Sequence, residues 1–174
     1  MIGIIIGTNR QHSLSKKVGI NYQNLLKSLG QESQIIDLAE LPADFAFSAL
    51  YHNSGKNEAF NEFQKIVDET KKFVFIVPEY NGSFPGVLKT FFDGLRYPDS
   101  FNNKKAALVG ISAGMLGNAV GLGHLNDILS YMGTDVMGLR MKFGNMKAHF
   151  NGEEFTFEVY RNFLEKQAKA LIAF

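Results

Sequence analysis

Two unbroken apolar runs constrain this chain more than any other feature. Ile2–Ile6 (IGIII) and Phe73–Val77 (FVFIV) carry no polar side chain on either face. A strand with one wet face alternates apolar and polar residues, whereas a strand covered on both faces reads as a continuous run. Such strands occupy the middle of parallel sheets, with helices above and below. The intervening segments suit those helices. Ser13–Leu29 lines up Val18, Tyr22, Leu25, Leu26 and Leu29 on one helical face and meets Gly30 as its C-terminal stop. Further helices are predicted at Glu58–Lys71, Phe84–Tyr97, Gly117–Met132 and Glu153–Ala173, and further strands at Ser33–Leu38, Lys105–Ile111 and Thr134–Leu139. Leu41–Asn57 reads as irregular. Five strands alternating with five helices predict an open α/β parallel sheet covered on both faces, in one domain spanning 1–174.

Composition removes several function classes. There is no cysteine, so thiol catalysis, disulfides, iron–sulfur ligation and cysteine-based zinc are excluded together. His12, His52, His124 and His149 show no metal-ligand spacing, and no metal is expected. With 18 basic and 17 acidic residues the chain has no excess of positive charge for nucleic acid. No apolar run approaches the ~20 residues of a membrane span, and MIGIIIGTNR lacks the basic region of a signal peptide. A cytoplasmic protein is expected.

In open parallel sheets ligands bind beyond the carboxyl ends of the strands, so three loops carry the functional reading. The first, Gly7–Ser15, leaves a strand and opens a helix, where unpaired N–H groups and the positive dipole end suit a phosphate. Thr8, Ser13 and Ser15 add hydroxyls and Arg10 a fixed cation. The same residues also suit a plain helix cap with a solvated arginine. Neither a P-loop nor a G-x-G-x-x-G turn is present, so Asp37, at the end of the second strand, reads as a surface or loop-capping residue. The second loop, Pro78–Gly86, holds two prolines and two glycines, with Glu79, Tyr80 and Asn81 directly after an apolar strand. It suits the lip of a flat heteroaromatic ring, with Tyr80 as a loop-tip aromatic, or an ordinary turn. The third, Ser112–Asn118, is built of small residues that let a ligand approach the backbone.

Elsewhere, Lys71-Lys72 and Lys104-Lys105 read as solvated strand edges and Glu153-Glu154 as a charged helix start. Phe91, Phe92 and Leu95, with Leu125, Leu129 and Met132, form two apolar stripes suited to the sheet or to a partner subunit. Phe45 and Phe47 suit local packing, a pocket cover or a subunit contact.

Taken together, G-T-N-R-x-x-S-x-S at Gly7–Ser15, P-E-Y-N-G-S-x-P-G-x-L-K at Pro78–Lys89 and S-A-G-x-x-G at Ser112–Gly117 resemble the motifs of the NADPH-dependent FMN reductase family, which includes flavin, azo-dye, quinone and chromate reductases. The resemblance implies a flavodoxin-like three-layer sandwich with strand order 2-1-3-4-5 and bound FMN. It implies cofactor binding by Thr8, Arg10, Ser13, Leu14 and Ser15 around the phosphate, by Pro78, Glu79, Tyr80, Asn81 and Gly82 along the ring and ribityl chain, and by Ser112, Ala113 and Gly114 at the pyrimidine side. It further implies NADPH or NADH as hydride donor, a small-molecule acceptor, and a homodimer or homotetramer. No protein residue is assigned as catalytic, because the flavin carries the chemistry. The chain departs from the family at Gly117-Asn118-Ala119-Val120, where members often carry G-G-x-R, and at Asp93-Gly94, where many have Asp-Trp. The alternative is a flavodoxin-type electron carrier without NAD(P)H activity. Such carriers are usually strongly acidic, unlike this chain of net charge +1.

Overall fold

The computed structural model describes residues 1–174. Its strands are β1 (Ile2–Ile6), β2 (Ser33–Asp37), β3 (Lys72–Pro78), β4 (Lys105–Ile111), β5 (Asp135–Val136) and β6 (Met141–Phe143). Its helices are α1 (Leu14–Ser28), α2 (Phe45–Ser48), α3 (Glu58–Glu69), α4 (Gly86–Gly94), α5 (Ala119–Tyr131), α6 (Met146–His149) and α7 (Glu158–Ala173). All pairings are parallel, in the order β2-β1-β3-β4-β5, with β6 also on β4.

The continuous apolar runs have the expected cause. Ile5, Phe73, Phe75, Val77, Ala106 and Leu108 join a core with residues of α3, α4 and α5, including Phe60, Phe91 and Leu125. Their neighbours Ile4, Ile6, Val74, Ile76, Ala107 and Val109 join a second core with α1 and α7, through Val18, Tyr22, Leu164 and Leu171. With both faces covered, alternate residues bury on opposite sides and none can be polar. A fully buried side chain of this size contributes about 1.5–3 kcal/mol by leaving water. Phe91, Leu125 and Leu129 are fully buried against the sheet and Phe92 and Leu95 nearly so, whereas Met132 is only partly buried and, with Phe92 and Leu95, borders a surface groove.

The edge strand differs from the sequence expectation. Thr134–Leu139 is not one strand. β5 pairs at Lys105↔Asp135 and β6 at Val109↔Met141, so the edge chain uses two more residues than β4 between these points. The excursion interrupts the ladder, and Gln167 of α7 repairs it. Its amide nitrogen donates to Leu108 O at 3.0 Å and Leu139 O at 2.8 Å. Its amide oxygen accepts from the Tyr22 hydroxyl at 3.4 Å. A fully buried glutamine is tolerated because these carbonyls would otherwise be orphaned.

Of the paired lysines, Lys71 is exposed as expected, but Lys72, Lys104 and Lys105 are not simply solvated edges. Lys72 Nζ donates to Leu171 O at 3.2 Å and Ile172 O at 2.7 Å, and Lys105 Nζ to Phe174 O, so both cap the C-terminal end of α7. Lys104 Nζ donates to Val67 O and, at 3.3 Å, to Asp68 O at the end of α3. Each cation meets the negative end of a helix dipole. Lys104 is buried, and desolvation lowers its pKa to about 8.

Helix limits shift for local reasons. The last helix starts at Glu158 rather than Glu153, because the Glu153 and Glu154 amides donate to Asn151 Oδ1 in a turn. α4 is shorter than expected, with Pro85 extended at its N-cap. The irregular segment holds α2 and a 3-10 turn, Tyr51–Asn53, and a second 3-10 turn, Leu38–Glu40, lies just before it, at the expected end of the second strand. Phe45 stacks on Phe60 at 5.8 Å, and Phe47 stays exposed. No helix is long and apolar enough to cross a membrane.

Candidate cofactor-binding site

The three loops meet at the carboxyl edge of β1, β3 and β4. The first is anchored to the sheet by Gly7 N–H donating to Ile76 O at 2.9 Å. Ser13 then caps α1, its hydroxyl accepting from the Lys16 amide at 3.2 Å. The amides of Ser13, Leu14 and Ser15 have no protein partner, so the helix start presents free donors. Ser13 and Ser15 are buried beside them. Lys16 is committed to Asp37 at 2.8 Å, a contact that raises the lysine's pKa through its hydrogen bond and charge. Arg10 makes no ion pair and is the loop's free cation. Asp37 is buried rather than superficial, and it caps the following turn by accepting from the Ala39 amide at 3.0 Å.

The second loop extends the sheet by one bond, Glu79 N–H to Ile111 O at 3.0 Å. It then reverses in a two-residue turn. Tyr80 and Ser83 exchange both backbone hydrogen bonds, at 2.9 and 3.1 Å, around Asn81 (φ 52°) and Gly82 (φ 77°). Two successive left-handed residues make this a type I′ turn, for which Asn-Gly is the preferred pair. Glu79 Oε1 accepts from the Gly82 amide at 3.2 Å and stiffens it. The turn directs the Tyr80 ring back across the edge, where its hydroxyl lies 2.9 Å from Thr8 Oγ1. Tyr80 is therefore not a free loop-tip aromatic.

In the third loop Ser112 is nearly buried. Its hydroxyl donates to Gly114 O at 2.8 Å and accepts from the Gly117 amide at 3.0 Å. The 144–146 segment clamps the outside, with Asn145 N–H donating to Gly114 O at 2.7 Å and Met146 N–H to Ser112 O at 3.2 Å.

Between the loops lies a cleft of 190 Å³ lined by Arg10, Ser13, Leu14, Ser15, Pro78, Glu79, Tyr80, Ile111, Ser112 and Ala113. Of the other sequence candidates, Thr8 lies buried within hydrogen-bond reach of Tyr80, and Asn81 and Gly82 form the exposed turn. Gly114 is exposed at the rim, where an added Cβ would meet nothing. A larger depression of 630 Å³ around Met1, Lys27 and Glu32 lies at the amino edge of the strands, away from the free helix donors. The smaller cleft is the better candidate because unpaired donors and a free cation converge there.

Sequence reasoning missed two supports. Asn118, almost fully buried, donates from Nδ2 to Val77 O at 3.3 Å and Pro78 O at 3.1 Å, which ties the third loop to the second. His124 of α5 shares a 2.9 Å hydrogen bond with the Ser83 hydroxyl. Asn118 was visible only as a departure at a motif position, and His124 carried no local signal.

The model of the NADPH-dependent FMN reductase family matches residues 1–145. A 2-hydroxy-1,4-benzoquinone reductase from Burkholderia sp is 26% identical over 96% of this chain and 93% of its own length. An FMN-dependent NADPH-azoreductase from Staphylococcus aureus is 29% identical over 72% of this chain and 67% of its own. Among solved structures, the flavoenzyme NAD(P)H:(acceptor) oxidoreductase FerB from Paracoccus denitrificans superposes with a TM-score of 0.80 at 24% identity, covering 99% of this chain and 94% of that one. An archaeal flavodoxin reaches 0.65 at 12% identity, covering 99% and 97% respectively, and shares the fold. Family match, strand order and the three loops agree, and this chain belongs to the NADPH-dependent FMN reductase family.

Proposed function

We propose that the cleft binds FMN and that the chain, one flavin-binding domain over 1–174, reduces small aromatic acceptors of the quinone type with NAD(P)H. The observation that carries this is the convergence of unpaired Ser13, Leu14 and Ser15 amides with the unpaired Arg10 at one helix start. This donor set fits a phosphate monoester, which needs several N–H and O–H donors and a cation. Thr8, Arg10, Ser13, Leu14 and Ser15 would hold that phosphate. Pro78, Glu79, Tyr80, Asn81 and Gly82 would border one side of the ring, and Ser112, Ala113 and Gly114 the other.

The chemistry supplied by bound FMN is hydride acceptance from NAD(P)H and its delivery to the acceptor. The protein's part is placement. Asn118, Ser112 and the Tyr80–Ser83 turn fix the two ring loops through backbone hydrogen bonds, which leaves little freedom to lose on binding. Met115 and Leu116 are exposed within the third loop and offer apolar contact to a flat acceptor. The names of the Burkholderia and Staphylococcus relatives support quinone and azo compounds as the acceptor class. A flavodoxin-type carrier is disfavoured by the family match.

Flavin released by heat should run on chromatography as FMN; recovery of mainly FAD removes this reading. One phosphate loop leaves room for donor and acceptor only in turn, so initial rates over a grid of NADPH and quinone should give parallel double-reciprocal lines. Intersecting lines would mean a second site.

Use of NAD(P)H supports a cytoplasmic setting. A homodimer or homotetramer is also proposed. It is supported by exposed Tyr97 and Tyr131 beside a 500 Å³ groove floored by Phe92, Leu95, Ile128 and Met132. Sedimentation showing only a 19.4 kDa monomer at micromolar concentration would exclude it.

A further inference from the structure

Two charged side chains line the cleft, Arg10 on the first loop and Glu79 on the second. Neither forms an ion pair. Arg10 has a use in the phosphate site, but Glu79 has none there, because a carboxylate repels a phosphate. Glu79 is also the one charged residue in the two loops that would border a flavin ring, Pro78–Gly86 and Ser112–Asn118. Its carboxylate is tethered at the lip. Oε1 accepts from the Gly82 amide at 3.2 Å, and Gly82 sits in the turn closed by the paired backbones of Tyr80 and Ser83. The turn thus keeps an uncompensated negative charge beside the cleft.

A fixed charge acts on any change of charge near it. Hydride transfer from nicotinamide C4 to flavin N5 breaks the C4–H bond, forms the N5–H bond and carries two electrons and one proton. The donor ring gains a positive charge, and the flavin ring gains a negative one until a further proton arrives. We infer that Glu79 weighs against the reduced, negatively charged ring, so that the site favours oxidised over reduced FMN more than it would without this carboxylate and makes the reduced flavin a stronger hydride donor. The inference deepens the reading of the cleft as an FMN site and rests on it. Glu79 acts through its field and touches no reacting atom. Arg10 does not cancel that field, because it lies on the phosphate loop, where the phosphate's own charge offsets it.

The test compares the unmodified full-length protein with Glu79→Gln, which keeps an oxygen for the Gly82 amide and removes the charge. Fluorescence quenching gives the affinity for oxidised FMN, and anaerobic equilibration with a redox dye gives the potential of the bound flavin. Together they give the affinity for reduced FMN. Glu79→Gln should shift the ratio of the two affinities about fivefold in favour of reduced FMN, the scale of two unit charges several Å apart in a partly screened site. In potential this is a rise of about 20 mV, since tenfold is ~30 mV for two electrons. Repulsion between Glu79 and the phosphate is the same in both oxidation states and cancels in the ratio. Glu62→Gln removes an exposed charge on α3, outside the cleft, and should leave the ratio within about twofold. Added salt should move the ratio of the unmodified protein toward that of Glu79→Gln. An unchanged ratio in Glu79→Gln overturns the inference, as does a shift toward oxidised FMN or an equal shift in Glu62→Gln. If the unmodified protein does not bind FMN, the cofactor reading fails and the inference falls with it. If it binds FMN and Glu79→Gln keeps the ratio, only the inference falls.

Discussion

Gly121→Ala tests whether the tight seat of α5 holds the ring loop in place. A Cβ at Gly121 would lie 2.2 Å from Asn118 Oδ1, 2.6 Å from the Ser83 carbonyl carbon and 2.8 Å from Phe84 N. Two of these neighbours are backbone and cannot rotate away. α5 cannot retreat either, because Leu122, Leu125 and Leu129 are buried against the sheet. The backbone at 83–84 must therefore yield, and an ordinary carbon contact of about 3.5–4.0 Å requires roughly 1 Å of movement. That backbone ends the turn that sets Tyr80, and its Ser83–His124 hydrogen bond moves with it. A displacement of about 1 Å in a positioning element costs on the order of 100-fold in rate. Overpacking costs about 1–3 kcal/mol in stability, offset in part by the ~0.5–1 kcal/mol that alanine gains over glycine inside a helix. Gly123→Ala is the control on the same helix, since a Cβ there meets nothing within 4 Å. It should raise stability slightly and leave turnover alone. The assays are kcat/KM with NADPH and a quinone, FMN affinity, and urea unfolding of both variants. Gly121→Ala turnover within about threefold of the parent, with FMN affinity unchanged, would refute the idea that this contact fixes the loop.

Arg10→Ala should weaken FMN by roughly 1.5–3 kcal/mol, the worth of a charge-assisted hydrogen bond, and riboflavin far less; equal losses would move Arg10 out of the phosphate site. Gln167→Leu strands the Leu108 and Leu139 carbonyls and should cost about 2–4 kcal/mol in urea unfolding, whereas a cost near zero would show that the edge does not depend on it. Lys104 releases its proton near pH 8 in the fold but only near 10.5 in the open chain. The open chain therefore binds more protons between these values, and this lysine makes stability rise with pH across that window. Lys104→Met should abolish that component; an NMR titration placing the folded Lys104 pKa at its ordinary value would contradict the assignment.

Much of the site was legible locally. A helix cap and its free amides depend on neighbouring residues, so Ser13 and Ser15 could be read from Gly7–Ser15. The Asn81-Gly82 turn is set by two left-handed positions and the residues that tolerate them. Contacts between loops were not legible. Tyr80 and Thr8 are 72 positions apart, and a side chain's reach across such a gap has no local pattern. Gln167 looked like one more polar helix residue, although it fills a gap in the ladder 59 positions away at Leu108. The paired lysines looked solvated because their strand starts are polar, and only the packed sheet brought helix ends within their reach.

The sequence by itself determined the covered parallel sheet, and it pointed to the strand edge where the candidate cleft lies and to the three loops that line it. Burial on both faces demands unbroken apolar runs, and turns and caps demand particular residues within a few positions. Tertiary structure alone decided where the edge strand splits, that Lys16 is committed to Asp37 while Arg10 makes no ion pair, and that Tyr80 bonds to Thr8 instead of standing at a loop tip. Each of those outcomes depends on which hydrogen-bonding groups remain unpaired after packing, a condition that no local periodicity encodes.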